Sequence, residues 1–331
     1  MRSLTCALTT VVFVCAAQYL VAEEIADPVR DAVRKSLPLL QKVGPTFWAG
    51  AGCISCHNNT LPDLALSIAR ERGFPVNEAA VKRAQKLTFD FLDARRERLL
   101  EGLPPGGGQN TMSSLLFTMS LEHVPADETM EAGARYMKVL QAEDGSWPVL
   151  NHRPPLVSST IGITAMTVKG LRTYAPASQK AEYDESVRKA VAWLAKAMPQ
   201  TNEESIFKVL GLCWGDGPKS ALTETVVSLV RQQRDDGGWS QLSSLQSDAY
   251  ATGQALFALH ESGMKTTDPI YKKGVQFLVR TQGADGSWHV KTRSDPSQIY
   301  FEAGYPYGTD QFISAAGGSW ATAALALTQN R

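Results

Sequence analysis

The sequence predicts an all-α protein assembled from repeated helical hairpins. A seven-residue pattern, Gln-x-x-Asp-Gly-x-Trp, occurs three times; it begins at Gln141, Gln233 and Gln282 and ends at Trp147, Trp239 and Trp288. Each copy follows an apolar helical stretch (136–140, 226–230, 275–279). Each precedes a second stretch rich in Ala and Leu (160–171, 249–259, 320–327). The last two tryptophans are 49 residues apart and the first two 92, close to two such periods. A fixed period of this size marks a repeat architecture, in which each unit stacks on the next.

The unit reads as helix, turn, helix. Gly supplies the positive φ that ends the first helix. Asp before Gly is ordinary turn chemistry. Trp offers a broad apolar face and an N–H that needs a partner. Gln can bond open backbone groups at the start of a following helix. These residues read as structural fasteners, and no catalysis is assigned to the three Asp-Gly pairs. A degenerate unit, 187–198 followed by 204–213, fits in the longer gap. Two further helical pairs come earlier, 27–42 with 61–72 and 81–100 with 111–121. In the first of them, Gln41 and Trp48 read as a stretched version of the turn. The hairpins total six.

The repeats resemble the QW motifs of squalene–hopene and other terpene cyclases, and of the related prenyltransferase β-subunits. The resemblance covers residues 136–327, more than half the chain. It implies an α/α toroid, an α6/α6 barrel in which six hairpins close into a ring of inner and outer helices. The activities do not follow. Cyclases of this type protonate substrate with an Asp-x-Asp-Asp string, and none occurs here; the nearest, Asp235-Asp236, lies inside a fastener turn. The prenyltransferases hold zinc with Asp, Cys and His. Outside residues 53–57 the mature chain has only Cys213, His123, His152, His260 and His289 for such a role. Cys213 sits on an apolar helical run and reads as a small buried hydrophobe. The cyclases also use two helical domains, and this chain has room for one.

The segment Cys53-Ile54-Ser55-Cys56-His57 carries different chemistry. Cys-x-x-Cys-His is the attachment pattern of c-type haem: two thiols add to the two vinyl groups, and the adjacent imidazole turns onto the iron. A redox dithiol of the thioredoxin kind would need a βαβ pattern, which is missing. A structural zinc site would need a second close Cys or His pair, which is also missing. A simple disulfide is the third alternative. One covalent haem per chain is therefore expected, with Cys53 and Cys56 as attachment points and His57 as proximal iron ligand. Few residues precede Cys53 and the repeats begin soon after it, so the haem loop (50–60) is read as grafted onto a hairpin, not carried by a separate cytochrome domain.

Export fits this reading. Arg2 is followed by an almost uncharged stretch, residues 4–22, before Glu23 and Glu24. That pattern describes a secretory signal, expected over residues 1–22, with cleavage after Ala17 or Ala22. The alternative is an uncleaved membrane anchor. Val14 before Cys15 is too bulky for the usual lipid-attachment site. The mature chain, 23–331, then has three cysteines, a poor number for a disulfide framework. Its place is the periplasm or the cell exterior, with no later stretch apolar enough to span a membrane. The 331-residue chain has 33 basic and 33 acidic residues, 44% hydrophobic and 20% charged. Those are values for a soluble globular protein, and the zero net charge argues against a nucleic-acid partner.

If the hairpins close into a ring, every fastener turn lies at one rim, together with the haem loop. The long aromatic segment 300–312 then neighbours the haem. The sixth iron ligand is expected from a loop at the same rim, with His152 or Met112 first; His289 is also reachable, and Tyr307 could face the iron. His260, near a helix end, reads as structural. Three functional readings follow. One is an electron-transfer cytochrome serving a redox partner protein. The second is a haem-dependent enzyme or sensor acting on an apolar or isoprenoid-like molecule in the ring. The third is a scaffold that binds proteins. Fold alone does not choose among them.

Overall fold

A computed structural model of the chain describes residues 27–329 apart from 151, 157 and 296–298, and gives no side-chain placement for Cys56. The expected leader, 1–22, lies outside the described residues. Thirteen α-helices make up the described chain, with no named β-strand. Six of them form an inner ring: α2 (Leu61–Glu71), α5 (Gly108–Leu121), α7 (Thr160–Tyr174), α9 (Asn202–Trp214), α11 (Ala249–Glu261) and α13 (Gln311–Ala326). Each packs on the next, and α13 packs on α2, so the ring closes. The outer helices are α1 (Pro28–Ala51), α3 (Glu78–Asp93), α6 (Glu128–Val139), α8 (Lys180–Lys196), α10 (Lys219–Arg231) and α12 (Pro269–Thr281); a short α4 (Arg96–Leu100) follows α3. The six expected hairpins are these outer–inner pairs.

Sequence separates the two layers. Nearly every residue of α7, α11 and α13 is buried, because an inner helix touches neighbours on all sides. The outer α3 buries only Val81, Thr88, Phe91 and Leu92, one stripe of an amphipathic helix. Helix starts follow side-chain chemistry. Asp27, Asp127, Ser159 and Asp248 cap backbone N–H groups, and Thr201 with Glu204 forms a capping box.

The fasteners act alike in all three turns. The Gln141 Nε2 donates to the Gly145 carbonyl of its own turn and to the Ser186 carbonyl of α8, at 2.9 and 2.8 Å. Gln233 does the same with Gly237 and Ile270 of α12, and Gln282 with Gly286 and Ala32 of α1. Each glutamine thus ties its turn to the next outer helix, and Gln282 joins the last hairpin to the first. Trp147, Trp239 and Trp288 are almost fully buried, and each indole N–H donates to a carbonyl of the helix just left: Met137, Leu229 and Leu278. The turn glycines have φ near +90°, and a Cβ on Gly145 or Gly237 would lie 2.6 Å from a carbonyl of the adjoining outer helix.

Two expectations are corrected. Gln41 and Trp48 do not form a turn. The helix α1 runs unbroken through Pro38 and Pro45 to Ala51, and it stops at Gly52, whose φ is 62°. Gln41 instead accepts from the Asn77 N–H, and Trp48 packs edge-on against Phe91. The last inner helix starts at Gln311, well before Trp320. It contains a Gly317-Gly318 pair, poor helix formers. In the ring those glycines sit against Val290 and Tyr305, where any Cβ would collide, so close packing overrides weak helix propensity.

Replacing Trp239 with Ala should cost about 3–5 kcal/mol in a urea titration, the price of a large core cavity. A variant as stable as the parent would show that the turn does not fasten the ring.

Candidate functional site

All six outer-to-inner connections lie at one rim, and the loop bearing Cys53 and His57 is one of them. Local chemistry builds it. The backbone N–H of Ser55 donates to Asn59 Oδ1 at 3.0 Å, and the N–H of Asn58 donates to Ser55 Oγ at 3.1 Å. Asn59 Nδ2 reaches the Gly44 carbonyl of α1 at 3.3 Å. Gly44 is needed there, since a Cβ would stand 3.2 Å from the Asn58 carbonyl. The chain then makes one π-helical turn, Cys56–Thr60, and runs straight into α2. Asn58, Asn59 and Thr60 are buried, so the loop is clamped to α1 and held at the head of an inner helix.

The aromatic segment packs beside it, on the last turns of α1. Phe301 packs on Phe47 (5.4 Å between centroids) and sits against Gly50, in the last turn of α1. Phe312 meets both rings. Two more loops converge on the same mouth. Ser294 Oγ donates to the Pro154 carbonyl at 2.6 Å, Arg293 Nε donates to Gln241 Oε1 at 2.7 Å, and Gln109 donates to the Pro148 carbonyl.

Cys53 is half-buried and free of any disulfide; the Cys56 side chain lies outside the described residues. Removal from water, with a smaller effect from the Arg153 charge, pushes the His57 imidazole down to about 4. Among the described residues its ring has no hydrogen-bond partner. A half-buried imidazole whose basicity is lowered, following two cysteine positions, is a donor set that fits haem attachment. No group of three or more His, Cys, Asp or Glu among the described residues could hold a metal ion by protein ligands alone.

The other expected residues divide. The Arg153 charge is felt at His57, so the loop carrying His152 faces the haem motif. His152 is exposed, with Nδ1 at 3.2 Å from the Ser158 carbonyl. Met112 is wholly buried on α5, and its thioether fills the space over Gly133 of α6. It is turned toward the outer layer rather than the loop, which the sequence position alone did not disclose. His289 bonds Asp310 at 2.7 Å and stacks on Tyr307, whose hydroxyl lies 2.6 Å from Ser287 Oγ. Those two residues brace the long loop. His260 is at the far end of α11, beside Glu261. Burial pushes the Cys213 thiol up to about 11, as befits a packing residue.

Inside the ring, aromatic side chains fill the axis. Phe117 of α5 lies 5.3 Å from Trp214, and Trp320 lies 5.2 Å from Phe257. Above this plug, a narrow chamber runs under the rim between Leu61, Phe117, Phe207, Glu203, Tyr250 and Trp320. Burial raises Glu203 to about 8 although its carboxylate accepts from the Tyr250 hydroxyl at 3.1 Å. A second buried acid pair, Asp63 of α2 and Glu122 at the end of α5, is also held well above the carboxylate range by desolvation. Neither pair carried a sequence signal.

No family model matches the sequence, and no curated protein matches it. Solved structures do. The chain is similar to a glycosidase variant in complex with glucose, at 11% identity and a TM-score of 0.61, over 91% of this chain and 98% of that one. It is similar to the type II terpene cyclase MstE from Scytonema, at 12% and 0.56, over 91% and 99%. A possible member of the GH105 family from Salmonella enterica aligns at 14% and 0.54, over 96% and 98%. At these identities the likeness is one of fold, and the fold is the α/α toroid.

Glu203 also sets a pH dependence. Between about 4.5 and 8 the unfolded chain has released a proton that folded Glu203 keeps, so its contribution to stability falls as pH rises through that window. The Glu203→Gln variant should lose this dependence, flattening the slope by up to about 1.4 kcal/mol per pH unit. Parallel unfolding curves for the two proteins across pH 5–8 would contradict a desolvated Glu203.

Proposed function

We propose that the chain is an exported monohaem c-type cytochrome built on an α/α toroid, and that it passes electrons to or from a redox partner protein in the periplasm or outside the cell. The observation that carries this reading is the Cys53-x-x-Cys56-His57 string in a loop clamped to α1 at the head of an inner helix, with partial burial lowering the basicity of His57. Bound haem would supply one-electron chemistry at iron. Cys53 and Cys56 would hold it covalently. His57 would offer a lone pair that burial keeps unprotonated above pH 4 or so. The neighbouring loop supports His152 as second axial ligand in preference to Met112, which is engaged with α6. Residues 1–22 would serve as the export signal. The aromatic plug favours electron transfer over the reading in which an isoprenoid-sized molecule fills the ring.

Protein made in a haem-maturing host should retain its haem after denaturation and acid–solvent extraction, and should give the pyridine spectrum of a c-type haem. Haem that extracts freely would overturn the proposal. Cys53→Ala and Cys56→Ala should each weaken or abolish attachment, and His57→Ala should disturb the iron spectrum.

A six-coordinate, low-spin iron is expected in both oxidation states. His152→Ala should convert it to high spin and open it to carbon monoxide, while Met112→Ala leaves the spectrum intact and lowers stability by about 2–5 kcal/mol. Ready binding of carbon monoxide by the unmodified reduced protein would instead support a haem enzyme or gas sensor.

A further inference from the structure

The chamber under the rim holds polar atoms that the protein itself does not satisfy. Gln254 of α11 and Trp320 of α13 are each only 2% exposed, and both line the chamber. Gln254 Oε1 and Trp320 Nε1 have no hydrogen-bond partner. A buried acceptor and a buried donor left open in one cavity are costly to keep, because folding removed their water and returned nothing. The rest of the wall is mainly apolar, with Leu61, Phe117 and Phe207. The centre of a water molecule can move within about 20 Å3 there, which suits one or two waters, or a hydroxyl group with the short chain attached to it.

We propose that this chamber is a binding site for a small uncharged molecule carrying a hydroxyl group. The hydroxyl oxygen accepts from the Trp320 indole N–H, and the hydroxyl hydrogen is donated to Gln254 Oε1. A hydroxyl is the small group that does both at once. An ether or ketone oxygen would satisfy Trp320 and leave Gln254 open. A carboxylate would set its charge against the Gln254 oxygen. The alkyl part lies on Leu61, Phe117 and Phe207. Burial raises Glu203 to about 8, which favours an uncharged ligand over a cationic one. The aromatic plug seals the inner end, so entry is from the rim, past Leu156 and Ser158 of the loop that bears His152. Nothing in this site requires haem, and it stands or falls apart from the cytochrome reading.

The test uses the full-length exported protein, 15N-labelled, in its reduced state if haem is present. The Trp320 indole resonance is assigned by its loss in Trp320→Phe. Titration with 1-butanol and with its isomer diethyl ether, which accepts but cannot donate, follows that resonance. A saturable shift is expected with the alcohol, about tenfold tighter than with the ether. Gln254→Leu should weaken the alcohol to the level of the ether. If that variant fails to fold, the comparison of the two isomers in the parent protein decides the matter alone. Linear, non-saturating shifts of equal size for both compounds would overturn the proposal. So would a crystal grown with 1-butanol in which ordered water alone bridges Trp320 and Gln254.

Discussion

Each fastener glutamine places one amide nitrogen between two carbonyls, one in its own turn and one in the next outer helix. A carbonyl on an outer helix is normally engaged only within that helix, so the second bond adds a link along the ring without needing a matching side chain. The glycine beside the glutamine makes this possible, because its turn presses directly on the next helix and a Cβ would block the approach. The buried tryptophan then fixes the same turn to the helix it leaves. One seven-residue pattern therefore fastens three of the six hairpins and orients the inner helices α7, α11 and α13. The bond from Gln282 to Ala32, across 250 residues, makes the arrangement a closed one.

Closure decides what the rim can hold. The loop bearing Cys53 and His57 is clamped from α1 by Asn59, and the turn that follows packs on α13, so its surroundings come from both ends of the chain. His57 is half-buried because inner-ring packing begins immediately after it, at Asn58. The same packing explains the buried acids. Asp63, Glu122 and Glu203 all sit on inner helices or at their ends, where water is excluded and a carboxyl keeps its proton. A ring that fills its own axis with Phe117, Trp214 and Trp320 leaves a narrow chamber under the rim.

Much of this was legible in the residues. The fastener pattern gave three of the hairpins, because Gly, Asp, Gln and Trp each have a backbone task that depends on spacing, and the apolar helical stretches gave the other three. The Cys53-x-x-Cys56-His57 string was legible as a string because its proposed chemistry depends on adjacency. Contacts across the ring were not legible. The direction of the Met112 side chain depends on Gly133, 21 residues away, and that of Arg153 on the path of a proline-containing loop. Glu203 and Asp63 look like ordinary surface carboxylates in sequence; only the ring buries them. The continuous α1 defeated the turn reading of Gln41 and Trp48, since α1 holds its course past two prolines when its apolar stripe is packed on α2 and α13.

The packing of α13 on the turn after Cys53 has a consequence for the order in which the molecule is made. Cys53 leaves the ribosome long before Phe301 and α13 do. Until those last residues arrive, the turn 56–60 lacks its contact with α13 and the inner ring has a gap between α11 and α2. Contacts of such long sequence separation form late, because the chain must first be brought together end to end. The loop 53–57 therefore has a period of freer access that ends when the C-terminal hairpin docks. The haem attachment proposed for Cys53 and Cys56 would be easiest within that period, before the ring closes on itself.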